Sequence, residues 1–106
     1  MYNSIADIKR ANRTLSHSNG RAYWFEPGTM SFFGTQLHDK VYFGQYFITS
    51  EQYLASDYGK TYLGFTDGPR MYSVRVCHAD GSIDTIGEHM GYKSLEEAEQ
   101  SLRKLM

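Results

Sequence analysis

Arg70-Met71-Tyr72-Ser73-Val74-Arg75-Val76-Cys77 is the stretch whose reading decides the fold. Tyr72, Val74 and Val76 fall on one face of a pleat, and Ser73 and Arg75 on the other, which is the period-two alternation of a β-strand. Ala79-Asp80-Gly81 follows. Asp and Gly tolerate the positive φ of a tight reversal, so the chain turns there into a hairpin. The return strand runs from Ser82 to about Glu88.

A second strand signal lies upstream. From Lys40, the run Val41, Tyr42, Phe43, Tyr46, Phe47, Ile48 and Thr49 is rich in aromatic and β-branched residues. It is apolar on both pleat faces, so this strand belongs in the middle of a sheet, with Gly44 marking a bulge or a close backbone approach. Downstream, Ser94-Leu95-Glu96-Glu97 has the form of a capping box, and Leu95, Ala98, Leu102 and Leu105 recur at three, four and three to make one apolar stripe. Acids in the first turn and Arg103 and Lys104 in the last suit the helix dipole. A small antiparallel sheet of three or four strands needs a cover, and this C-terminal helix supplies it, giving a two-layer α+β domain.

The N-terminal part adds a helix beside the sheet or at its edge. Ser4 and Asp7 form another capping box, and Ile5, Ile8, Ala11 and Leu15 give a thin apolar face for a helix from Ile5 to about Thr14, stopped by Ser18-Asn19-Gly20. Ala22-Tyr23-Trp24-Phe25 reads as a short strand or an aromatic plug under a loop. The segment from Pro27 to Gly34 suits one or two helical turns, with Pro at the start and Gly at the exit. Between Ser50 and Gly68 the chain turns to Tyr, Ser, Asp and Gly, a long aromatic loop with at most a short strand near Tyr62.

Size and composition set the outer bounds. The 106 residues make one domain, 1–106, able to bury roughly two thirds of the unfolded surface and too short for two cores. With 41% hydrophobic residues and a net charge of −1, the chain can fold and does not have the excess of base expected of a dedicated nucleic-acid binder. The charge is unevenly spread, however. Up to Phe25 the bases Lys9, Arg10, Arg13 and Arg21 face only Asp7, whereas from Asp80 onward acids predominate. The single cysteine, Cys77, cannot close an internal disulfide, which fits a reducing cytoplasm. No apolar run is long enough for a secretory or membrane-spanning segment.

Motifs that carry chemistry are sparse. His17, His38, His78 and His89 stand apart, without the spacings that let two ligands reach one metal from a single element, and no cofactor is expected. Cys77 in an alternating strand reads as a small buried hydrophobe. Gly59-Lys60-Thr61 ends like a phosphate-binding loop, but position 54 is Leu where the upstream glycine is required. No strained Gly-x-Ser-x-Gly elbow is present to hold a nucleophile. What the chain does have is nine tyrosines. Each must place its hydroxyl near water or a partner, and Tyr53, Tyr58 and Tyr62 fall close to Arg70, a combination of the residue types that anchor interfaces.

Thr29-Met30-Ser31-Phe32-Phe33-Gly34, Tyr46-Phe47-Ile48-Thr49-Ser50-Glu51-Gln52, Arg70-Met71-Tyr72-Ser73-Val74-Arg75 and Ser82-Ile83-Asp84-Thr85-Ile86-Gly87-Glu88 together resemble small uncharacterised proteins encoded by bacteriophages and prophages. The resemblance covers about Asn19 to Ala98. It implies a protein of the host bacterial cytoplasm that acts by stoichiometric binding, a class that includes inhibitors of host defence such as anti-CRISPR proteins, and it brings no functional residue with it. The leading expectation is therefore a non-catalytic protein that binds a host protein or ribonucleoprotein complex, with Tyr53, Tyr58, Tyr62 and Arg70 on the contact surface. Asp84, Glu88, Glu96 and Glu99 would meet a basic surface on that partner. The alternative is direct nucleic-acid binding through Lys9, Arg10, Arg13 and Arg21, with Tyr23 or Trp24 stacking on bases. A small enzyme ranks last. A sheet edge carrying Arg75 and Asp84 leaves the oligomeric state open.

Overall fold

A computed structural model describes residues 1–52 and 70–105. Helix α1 (Ile5–Asn19) is followed by the short helix α2 (Pro27–Phe32), strands β1 (Gln36–Leu37), β2 (Tyr46–Glu51), β3 (Met71–Cys77) and β4 (Ile83–Ile86), and helix α3 (Leu95–Arg103). The strands form one antiparallel sheet in the order β1-β2-β3-β4. The fold is α+β, as expected. The segment read as an aromatic loop, with Tyr53, Tyr58 and Tyr62, lies outside the described residues.

Both capping boxes form. The Ser4 hydroxyl accepts from the Asp7 amide at 3.2 Å while the Asp7 carboxylate accepts from the Asn3 amide at 3.1 Å, and Ser94, Glu97 and Lys93 repeat the arrangement at α3. Each helix thus meets one of its unpaired first-turn donors with the cap hydroxyl, and the acid three residues on holds the amide that precedes the cap. Helix α1 runs past Thr14 to Asn19 and stops at Gly20, whose φ of 68° makes it a left-handed cap.

The strand expected from Lys40 begins only at Tyr46. Phe43 and Gly44 take φ of 52° and 74°, so Val41 to Gln45 fold into a tight turn that returns the Tyr42 amide onto the Tyr46 carbonyl at 2.7 Å. Gly44 serves this turn instead of a bulge. The two-residue β1, which has too little periodicity to be read from sequence, pairs with β2 and so makes β2 an interior strand. Leu105 lies beyond the end of α3 and is 49% exposed, so the apolar stripe of the helix ends at Leu102.

Register sorts the core into two halves. Ile48 and Val74 are cross-strand partners on one face, where Ala98 and Leu102 of α3 bury against them. Phe47 and Cys77 lie on the opposite face, closed at one end by Ile5 and Ile8 of α1 and by Phe25. Helix α1 therefore lies on the other side of the sheet from α3, at the end where the hairpin turns. Ala22 to Phe25 act as the plug, with Trp24 packed edge-on against Phe25 and Phe47 at 4.9 and 5.8 Å between centroids.

Helix α1 is held to the hairpin by Asn12. This buried amide donates to the Gly81 carbonyl at 3.0 Å and accepts from the Trp24 amide at 2.8 Å. The hairpin turn comes so close that a Cβ at Gly81 (φ +94°) would lie 2.4 Å from the Ala11 carbonyl oxygen, whereas one at Gly20 would meet nothing. Gly20→Ala is expected to cost about 1 kcal/mol, the strain of a left-handed residue. Gly81→Ala adds a backbone collision and is expected to cost about 2 kcal/mol or more, both read from urea unfolding midpoints. Equal losses in the two variants would show that α1 yields freely at the turn.

Candidate binding site

Beyond the end closed by α1 and the plug, the same face of the sheet is polar. Thr49 and Glu51 of β2, Ser73 and Arg75 of β3 and Thr85 of β4 share it by register, and Glu51, Ser73 and Arg75 are buried at 1%, 0% and 5% exposure. Charges are rarely buried to this extent without partners. The Arg75 guanidinium donates from Nε to Thr49 Oγ1 at 3.0 Å and from Nη1 to Thr85 Oγ1, and its Nη2 lies 3.1 Å from His89 Nδ1 and 3.3 Å from Glu51 Oε1. The Trp24 ring lies beneath it, 5.2 Å from ring centroid to guanidinium carbon. Ser73 Oγ donates to Glu51 Oε1 at 3.2 Å and accepts from the Met90 amide at 2.6 Å. Glu51 Oε2 is buried with no hydrogen-bond partner among the described residues.

The chain reaches this face from β4 by leaving the ladder. After Ile86 it detours through Gly87 to Gly91, then rejoins β3 where Tyr92 and Tyr72 exchange both backbone hydrogen bonds at 2.7 and 3.1 Å. Gly87 (φ 74°) and Met90 (φ 58°) provide the reversals. The expected strand to Glu88 is therefore cut short, and the detour brings His89 onto Arg75. An arginine can only donate, so Nδ1 of His89 is the acceptor and the proton of the neutral ring sits on Nε2. Burial and the Arg75 charge both push the His89 pKa below its ordinary value of 6.5, against a smaller opposing pull from Glu51.

Beside the polar face lies a cavity of about 350 Å³ lined by Ala22, Tyr23, Trp24, Thr29, Met30, Phe33, Thr35, Glu51, Arg75 and His89. That size is at the lower end of small-molecule sites, and the combination of aromatic walls with a few convergent polar groups is typical of them. Sequence reasoning missed the site. Arg75 reads as an outward residue on an alternating strand and Glu51 as the start of a loop. The usable signal is that β2 and β3 each place polar residues at alternate positions, Thr49 and Glu51 against Ser73 and Arg75, with opposite charges.

The residues singled out from sequence are dispersed. Arg70 is half-buried and ties the end of β2 to the turn after α2, through the Ser50 hydroxyl at 2.9 Å and the Gly34 carbonyl at 3.0 Å. Asp84 is exposed and pairs with His78 at 2.7 Å, Glu88 and Glu96 are exposed, and half-buried Glu99 accepts from the Tyr42 hydroxyl at 2.5 Å. Burial and that carboxylate raise the Tyr42 pKa. At the other end Arg10 pairs with Asp7, while Lys9 lies over Phe25 and Arg13 over Tyr23 at 5.8 and 4.6 Å. Arg21 is exposed, and the Trp24 ring is occupied by the core and by Arg75. Cys77 is buried, and burial raises its thiol pKa. Among the described residues no three His, Cys, Asp or Glu converge as a metal site, and no helix is long and apolar enough to cross a membrane.

Fold and site together define a small α+β domain in which a four-stranded meander carries a buried ion pair on one face and a helix on the other. The chain belongs to a family of unknown function (DUF7447), whose model matches residues 4–103. No curated protein and no solved structure matches it.

Two measurements probe the site. Arg75→Met strands Glu51 and is expected to cost about 3 kcal/mol, but together with Glu51→Leu the loss is smaller than the sum of the singles by at least about 1 kcal/mol. Additive losses in that cycle would mean the two side chains do not interact. The second concerns pH. Because the folded His89 pKa lies below the unfolded one, the unfolded chain takes up the proton first, and stability falls as the pH drops through about 6.5. His89→Asn keeps an acceptor near Arg75 without a titrating ring, so its melting temperature is expected to fall less than that of the parent chain between about pH 7.5 and 5.5. Parallel pH profiles would remove His89 from the network.

Proposed function

We propose that this chain is a non-catalytic binding protein, phage-encoded, that occupies a positively charged surface on a host macromolecule and inhibits or modulates it, plausible partners being CRISPR effectors and other defence components. The observation that carries the reading is the difference between the two charged ends. Asp84, Glu88 and Glu96 stand in solvent, with the Asp84 side chain 69% exposed. Of the opposing bases, Lys9, Arg10 and Arg13 are engaged with Phe25, Asp7 and Tyr23 of their own chain. Exposed acids favour a basic partner by complementarity, Asp84 being shared with His78 of its own chain, and bases engaged in local contacts make a weaker phosphate-binding surface. Glu99, bound by Tyr42, belongs to the packing of α3 and contributes less to such a contact.

The test compares the tagged parent chain with D84N/E88Q/E96Q as baits in a bacterial host lysate, with and without nuclease. The expected result is a host protein retained by the parent after nuclease treatment, with affinity weakened about tenfold in the triple variant and a shallower salt dependence. Equal retention by both baits removes the acidic surface. Retention abolished by nuclease transfers the reading to nucleic acid and to Lys9, Arg10, Arg13 and Arg21. Expression of the chain in a host with active CRISPR immunity, followed by plating of a targeted phage, tests the defence component of the proposal, and unrestored plating counts against it.

A further inference from the structure

Strand β4 ends the sheet on one side, and its hydrogen-bond parity fixes what that edge presents. The His78 amide donates to the Ser82 carbonyl across the hairpin at 2.8 Å, while the neighbouring Cys77 amide turns the other way, to the Gln45 carbonyl at 2.8 Å. Bonding direction alternates along an antiparallel ladder, so Ser82, Asp84 and Ile86 aim their backbone groups at β3, and Ile83 and Thr85 aim theirs outward. Gly81 shares the outward phase, and its carbonyl is covered by the Asn12 amide of α1 at 3.0 Å. Beyond it the cover ends. No group among the described residues bonds the outward N–H or C=O of Ile83 or Thr85.

The edge is also reachable. Ile83 and Thr85 are half-buried, and the Asp84 side chain between them is 69% exposed. A cleft of about 170 Å³ opens against Ser82, Ile83 and Asp84, walled by Leu15 and Ser16 of α1 and by Arg21 and Ala22. Two N–H and two C=O groups in a row, beside a helix, are what an extended chain needs in order to add itself to a sheet.

Asp84 selects the kind of strand. A second copy of this chain, pairing its own β4 antiparallel so that all the outward groups are used, would bring the two Asp84 carboxylates face to face, and like charges directly opposite are destabilising. A strand with Lys or Arg at that position makes an opposite-charge pair instead. The position is a non-hydrogen-bonded one, where facing side chains approach most closely.

We propose that the outer edge of β4 takes up an extended segment of a partner protein, paired antiparallel through Ile83 and Thr85 with a Lys or Arg opposite Asp84. The site rests on the reading above in requiring a basic partner, but of the three exposed acids it uses Asp84 alone.

The probe is the capped heptapeptide Ac-Lys-Thr-Val-Lys-Val-Thr-Lys-NH2, which sets its valines opposite Ile83 and Thr85. It is added to the full isotope-labelled chain and followed by NMR, with saturable shifts expected at the Ile83 and Thr85 amides. The same peptide with both valine nitrogens methylated keeps the side chains, cannot pair, and is expected to leave those amides unmoved. Replacing the central Lys by Glu is expected to weaken binding about fivefold. Thr85→Pro deletes one outward N–H and keeps the ladder to β3, and Thr85→Val, which loses the same hydroxyl from Arg75, is its control. Binding is expected to be lost in the first and kept in the second. Should Thr85→Pro fail to fold, the three peptides still decide. No saturable shift at the two amides, equal binding of the methylated or the Glu peptide, or a dimer of the unliganded chain that Thr85→Pro dissociates overturns the proposal. Thr85→Pro retains all three acids, so a host protein captured by it as well as by Thr85→Val removes the edge and leaves the acidic surface standing.

Discussion

The ion pair between Glu51 and Arg75 constrains the rest of this structure. Two charges in a sheet interior are tolerated only with further hydrogen bonds around them, and here Thr49, Ser73, Thr85 and His89 supply those from three strands and a detour. A slip of one residue between β2 and β3 would put the two charges on opposite faces of the sheet, one of them against Ala98 and Leu102 under α3. The pair is therefore weak as a source of stability and strong as a source of register. The break in β4 follows from the same need, because a continuous ladder past Ile86 would leave His89 without its reach to Arg75.

The two sheet faces are consequently unlike. Under α3 the contact is Ile48, Val74, Ala98 and Leu102, apolar and closed. On the other face α1 and the Tyr23 to Phe25 plug close only the end near Phe47 and Cys77, and the polar centre cannot be sealed by hydrocarbon without stranding its charges. A cavity beside Arg75 is the result. Trp24 joins the two regions, with its edges in the aromatic core and its face under the guanidinium.

Functional readings divide along the same line. The acids on β4, on the turn that follows it and on α3 lie in solvent and offer long-range attraction, which works through charge and needs little shape. The cavity offers shape, which works only at contact. The two features share no residues.

Local signals were sufficient for much of the fold. The capping hydroxyls of Ser4 and Ser94, the Asp80-Gly81 turn, the alternation of Tyr72 to Val76 and the three-four spacing of Leu95, Ala98 and Leu102 are interactions within a few residues, and these are legible in a string of letters. The sequence alone therefore determined the class, the interior position of β2 and the helix that covers one face. The tight turn at Phe43 and Gly44 was hidden because a positive φ leaves no mark on hydropathy. The side of the sheet taken by α1, the pairing of Glu51 with Arg75 and the placing of His89 were decided only by the tertiary structure. Their partners are 14 to 69 residues apart in the chain, and an arginine on an alternating strand has the same local pattern whether water or a carboxylate lies above it.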